Sequence, residues 1–100
     1  DNLMDNAARM GQYLTDAFTR EFAHVAGVKE IRGQGLMIGI ELDRPCGAIM
    51  QRALDAGLLL SVTADSVVRL LPPLILTQTE ADELVSILVP LIKNFLAETA

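Results

Sequence analysis

The sequence predicts an α+β domain, a small antiparallel or mixed sheet of about four strands with helices packed on one side. Three observations carry this. Apolar residues recur at three- and four-residue steps at both ends of the chain, the period of a helix. Between those ends lie short stretches in which apolar residues alternate, the period of a strand with one face buried. Breaks containing Gly, Pro, Asp and Ser divide the whole into the order helix, two strands, helix, two strands, helix.

Leu3, Ala7, Met10, Leu14, Phe18 and Phe22 form the apolar stripe of the first helix, with Asp5, Arg9, Asp16 and Arg20 mostly opposite and Gly27 as its expected stop. Val28 to Arg32 is expected to pair with the alternating run Leu36, Ile38, Ile40 and Leu42 across the bend Gly33-Gln34-Gly35. Asp43-Arg44-Pro45 ends that strand. Ile49, Met50, Ala53 and Leu54 form a short second helix closed by Gly57. Leu58–Val62 and Val67–Leu71 are the next strands, joined by the turn-prone Thr63-Ala64-Asp65-Ser66. In the second of these, Val67, Arg69 and Leu71 share one face, Val68 and Leu70 the other. Thr77-Gln78-Thr79-Glu80 fits a capping box, and Ala81, Leu84, Leu88, Leu91 and Phe95 mark the core face of the last helix, which Pro90 is expected to kink. No repeat, linker or low-complexity tract interrupts this order.

One hundred residues, 51% of them apolar and 21% charged, suit one small globular domain. So rich an apolar supply implies either a dense core or a face that a partner domain covers. The net charge of −5 and the scattered arginines and lysines argue against a nucleic-acid partner. No apolar run approaches the roughly 18 residues of a membrane span. The single cysteine, Cys46, cannot form an internal disulfide, which favours a reducing, cytoplasmic setting. The chain lacks an initiator Met and opens directly in a helical pattern, as a piece of a longer polypeptide would.

Val67-Val68-Arg69-Leu70-Leu71-Pro72-Pro73-Leu74 sets one arginine among seven apolar or proline residues. A guanidinium keeps its charge at any working pH, so enclosing it calls for an anion. No acid lies in the run. The partner is therefore an acid elsewhere in the fold, an acid of a larger protein, or a ligand carboxylate, for which the planar fork of donors is suited. The other candidates are weaker. Gly33, Gly35 and Gly39 are spaced G-x-G-x-x-x-G and precede a strand, unlike a dinucleotide fingerprint, so they read as a tight bend and a close backbone approach. His24 stands near the end of the first helix without a second ligand type nearby, so no metal site is expected. Cys46 has no local base and reads as a packing residue. Asp82 and Glu83 suit the N-terminal turn of the last helix. No nucleophile–base pair is evident, and no catalytic residue is assigned in this chain.

Arg32-Gly33-Gln34-Gly35-Leu36-Met37-Ile38-Gly39-Ile40-Glu41-Leu42, then Ala53-Leu54-Asp55-Ala56-Gly57-Leu58-Leu59, then the Arg69 run, together resemble the C-terminal end of class III aminotransferases. The resemblance spans nearly the whole chain. The Leu-Leu-Pro-Pro ending of the arginine motif and the Thr-x-x-Glu-Ala-Asp helix start look most like the acetylornithine branch of arginine biosynthesis. The family resemblance implies a fold-type I enzyme dependent on pyridoxal 5'-phosphate and working as a homodimer. It implies that residues 1–100 are the small C-terminal domain. The large domain, which carries the cofactor and its Schiff-base lysine, lies outside this chain. Lys29 and Lys93 stand in unmatched contexts, so neither is assigned to that role and no cofactor-binding residue is assigned here. Only Arg69 matches a substrate-contacting position. The resemblance implies that it binds the carboxylate of glutamate or 2-oxoglutarate, and that in some branches a large-domain glutamate pairs with it when the other amino donor is bound. The implied reaction passes the terminal amino group of N-acetylornithine to 2-oxoglutarate, and the chain alone is expected to be inactive. Ornithine, succinylornithine or 4-aminobutyrate as donor, and a stand-alone metabolite-binding module, are the alternatives.

Overall fold

The computed structural model describes residues 2–35, 37–58, 60–72 and 75–99, and among these the elements are α1 (Asn2–Glu21), β1 (Val28–Gln34), β2 (Met37–Leu42), α2 (Gly47–Asp55), β3 (Ser61–Thr63), β4 (Val67–Leu70) and α3 (Gln78–Glu98). The strands form one antiparallel sheet in the order β1-β2-β4-β3. The expected α+β architecture is therefore present, and the sheet is wholly antiparallel. Leu36, Leu59, Pro73 and Leu74, which the sequence reading placed in strands or in the arginine motif, lie outside the described residues, as does the side chain of Leu3.

Strand alternation sets the two faces of the sheet. Ile38 pairs with Leu70 and Ile40 with Val68, and all four point into the core with the helices. Between them Gly39 pairs with Arg69 and Glu41 with Val67 on the other face, where no described helix lies. The core is completed by Ala7, Met10, Leu14, Phe18 and Phe22 from α1 and its exit, Ile49 from α2, and Leu88, Ile92 and Phe95 from α3. Cys46 is buried there as a packing residue, and burial pushes its thiol pKa up. Every buried side chain in the core is apolar.

Several boundaries differ from the sequence reading. β1 runs on through Gly33 and Gln34, which pair with Ile38 and Met37, so the expected three-residue bend at Gly33-Gln34-Gly35 shrinks to the stretch after Gln34. β4 ends at Leu70 rather than Leu71. α1 ends at Glu21 rather than running towards Gly27. Its last turns tighten, with Val25 N donating to Phe22 O at 3.1 Å, and Gly27 (φ +104°) instead turns the chain into β1, where a Cβ would press on Leu96 at 2.8 Å. β3 starts at Ser61, because Leu58 N is spent on Ala53 O at 2.8 Å while Gly57 N donates to Leu54 O at 3.0 Å. Those two bonds around Gly57 (φ +90°) are the Schellman closure of α2. The buried face of α3 also carries Val89, Ile92 and Leu96, leaving Leu84 and Leu91 at its margin, while the helix continues through an exposed Pro90 to Glu98. The three-residue β3–β4 turn, Ala64 to Ser66, holds positive φ at Ala64 (49°) and Asp65 (64°).

The capping box forms as expected. Glu80 N donates to Thr77 Oγ1 at 3.2 Å, and Thr77 N donates to Glu80 Oε1 at 3.0 Å. Thr77→Ala is expected to cost about 1 kcal/mol at neutral pH, read from urea unfolding. Backbone and side-chain hydrogen bonds from Thr77 hold the Glu80 carboxyl below its ordinary 4.5. A depressed folded-state pKa stabilises the fold above the unfolded value and stops doing so as pH falls through the folded one. The Glu80 contribution is thus expected to fade only below about pH 4.5, and Glu80→Gln should flatten that acid limb.

Candidate functional site

The open face of the sheet holds one row of interest, Arg32 on β1, Gly39 on β2, Arg69 on β4 and Ser61 on β3, set side by side by the strand register. Because Gly39 carries no side chain, a hollow forms between the two arginines, lined also by Gly33, Met37, Val67 and the Thr63–Ala64 turn. The turn is pinned from behind. Cys46 N donates to Asp65 O at 2.8 Å and Leu42 N donates to Ser66 O at 2.9 Å.

The two arginines differ in their electrostatics. Arg32 Nη1 lies 2.8 Å from Glu30 Oε2 and 3.0 Å from Glu41 Oε1, and Lys29 Nζ stands 3.6 Å from the other Glu41 oxygen. Arg32 is thereby neutralised. Arg69 meets a thioether instead, with Nη2 2.9 Å from Met37 Sδ, which is a weak acceptor. Among the described residues no carboxylate lies within ion-pair distance of Arg69. The sequence run that surrounds Arg69 does not enclose it, since Val68 and Leu70 turn inward while Arg69 is exposed. Its charge is thus hydrated in this chain and still lacks an acidic partner.

Sequence reasoning singled out Arg69 and missed its neighbourhood. Arg32 and Met37 carried no signal of their own, because their shared face follows from register, and register is fixed only when β1, β2 and β4 assemble. Several other polar contacts are structural. Arg44 Nε meets Asp43 Oδ1 at 2.7 Å and its Nη1 donates to Leu96 O at 3.1 Å, tying the β2 exit to the end of α3. Arg52 grips Glu98 through two bonds at 2.7 and 3.1 Å, and Tyr13 donates to Asp82 between α1 and α3. That bond to Asp82 raises the Tyr13 pKa. Asp82 thus serves helix packing rather than a site, and His24 is exposed in the turn after α1.

A pyridoxal phosphate would need a lysine at its carbonyl carbon. Lys29 is paired with Glu41 and Lys93 lies 4.0 Å from Glu21 on α3, and no lysine lines the hollow beside Arg69. The described residues of this chain do not fit that cofactor. Among the described residues no His, Cys, Asp and Glu cluster suits a metal, and no helix is long and apolar enough to cross a membrane.

An antiparallel sheet is thus backed by helices on one face and presents Arg69, without a carboxylate partner among the described residues, on the other. The class-III aminotransferase family model matches residues 1–92, and the chain belongs to that family. Acetylornithine aminotransferase 1 of Bordetella bronchiseptica is 58% identical over 98 residues, covering 98% of this chain and 25% of that protein. Acetylornithine aminotransferase of Nitrosomonas europaea is 43% identical over 96 residues. Among solved structures, N-acetylornithine aminotransferase from Stenotrophomonas maltophilia superposes with a TM-score of 0.85 at 32% identity, covering 97% of this chain and 28% of that one. The ornithine aminotransferase from Plasmodium yoelii gives 0.88 at 30% identity, covering 94% and 26%. The chain thus spans about a quarter of the length of the curated relatives it matches.

Proposed function

We propose that this chain is the C-terminal small domain of an acetylornithine aminotransferase, a cytoplasmic homodimer that moves the terminal amino group of N-acetylornithine to 2-oxoglutarate. Arg69 carries the reading: a guanidinium without an acidic partner, on the uncovered sheet face, in a chain 58% identical to a protein of that name. Its role is to bind and orient the carboxylate of glutamate or 2-oxoglutarate through two parallel N–H···O bonds. Strands β2 and β3 hold the β4 backbone from both sides, so little freedom is lost when the anion arrives. Pyridoxal 5'-phosphate and its lysine belong to the remaining three-quarters of the polypeptide, which also covers the open face. The resemblance to ornithine aminotransferase structures makes ornithine the second candidate donor.

The test is single-turnover absorbance of the complete polypeptide with each amine in turn. N-acetylornithine is expected to react fastest, and a preference for ornithine or 4-aminobutyrate overturns the choice of donor. The hundred-residue chain alone is expected to give no visible band with pyridoxal phosphate. A band lost on changing Lys29 or Lys93 would overturn the division of roles between the two parts.

A further inference from the structure

The fold explains several of the described glycines, but not the one in the interior of strand β2. Gly27, Gly35 and Gly57 take positive φ, which side chains resist. Gly33 faces α1, where a Cβ would collide with the Thr15 hydroxyl. Gly39 is different. It sits inside central strand β2, outside the positive-φ region, and a Cβ built on it would meet only Val67 Cγ1, at an ordinary 3.6 Å. A glycine in a strand interior gives up side-chain packing and costs chain entropy, and its usual reason is the close approach of a ligand or another backbone. Nothing among the described residues supplies that reason.

The position of Gly39 supplies one. It is flanked across the sheet by Arg32 on one side and Arg69 on the other, a row about 10 Å wide at ordinary strand spacing. Arg32 is held by Glu30 and Glu41, so the anion-seeking group at the edge of this floor is Arg69. We infer that Gly39 sets the space for substrate: its bare backbone is the floor on which the carboxylate lies flat enough to meet both prongs of Arg69. A side chain branched at Cβ would stand where the carboxylate must pass, while keeping the strand intact, since β-branched residues suit strands. This inference rests on the reading of Arg69 given above.

The experiment uses the complete polypeptide and glutarate, a dicarboxylate that cannot react, with binding measured by calorimetry and the thermal midpoint recorded alongside. Gly39→Val is expected to weaken glutarate by roughly tenfold or more, Gly39→Ala by less, with the midpoint unchanged or raised in both. Arg69→Ala serves as the reference loss. Unchanged glutarate affinity in Gly39→Val, with Arg69→Ala still weakened, overturns the assignment of Gly39 and leaves that of Arg69 standing. Unchanged affinity in both variants removes the carboxylate reading itself. A lowered midpoint in both Gly39→Ala and Gly39→Val assigns the space to packing of the remaining chain and overturns the inference.

Discussion

Arg69→Ala in the complete enzyme is expected to weaken 2-oxoglutarate and its product glutamate by about 2–5 kcal/mol, the usual loss when one partner of a desolvated charge pair is removed. At about 1.4 kcal/mol per tenfold, that is a loss of tens- to thousands-fold in affinity. The size of the effect depends on enclosure. In this chain Arg69 is exposed and donates to the Met37 thioether, so an acetate-sized anion gains little from it here. On the proposed reading the rest of the polypeptide covers this face, so the same guanidinium would lose its water and take the carboxylate as its principal partner. Arg69→Lys should recover only part of the loss, because an ammonium cannot present two parallel donors. Single-turnover kinetics of each half-reaction check this. The half that consumes 2-oxoglutarate is expected to fail more severely than the half that consumes N-acetylornithine, and equal losses in both count against the assignment.

Arg69 was legible from its sequence neighbours because a permanent charge amid Val, Leu and Pro is anomalous whatever the fold. The elements were legible for a related reason. Each one is written in a local period, from the α1 stripe to the alternation of Ile38, Ile40 and Leu42, and the Thr77–Glu80 cap is a contact between near neighbours. What escaped the sequence is non-local. Pairing β2 with β4 rather than with β3 decides that Gly39, not another residue, lies beside Arg69. The start of β3 differs where backbone hydrogen bonds compete: Gly57 closes α2 as expected, but Leu58 N is spent on that closure and β3 starts only at Ser61. The Ala64–Asp65 turn was placed correctly, yet its left-handed backbone was not, since alanine gives no hint of positive φ. The sequence reading sets Gly39 within the β2 alternation, and only the register puts Arg32 and Arg69 on either side of it.

The second large effect concerns the support of this sheet rather than its open face. Phe18 is fully buried on α1, its ring stacked on Phe22 with centroids 6.2 Å apart, and both belong to the core that holds Ile38, Ile40, Val68 and Leu70 in place. Phe18→Ala removes a large ring from a closely packed interior, which costs about 3–5 kcal/mol through lost burial and the cavity left behind. A domain of this size has only about 5–15 kcal/mol to lose. Urea unfolding followed by far-UV circular dichroism should therefore show a midpoint displaced far to lower urea, with Met4→Ala, an exposed change on the same helix, as the nearly silent control. The consequence reaches Arg69 by a definite route. Val68 and Leu70 fix β4 from the core side, and a residue between them can be no better placed than they are. Phe18→Ala is accordingly expected to weaken glutarate as its folded fraction falls, and binding should recover at lower temperature where folding recovers. Arg69→Ala should show no such recovery. A Phe18→Ala protein that is fully folded by circular dichroism and still fails to bind would break this link between the core and the carboxylate site.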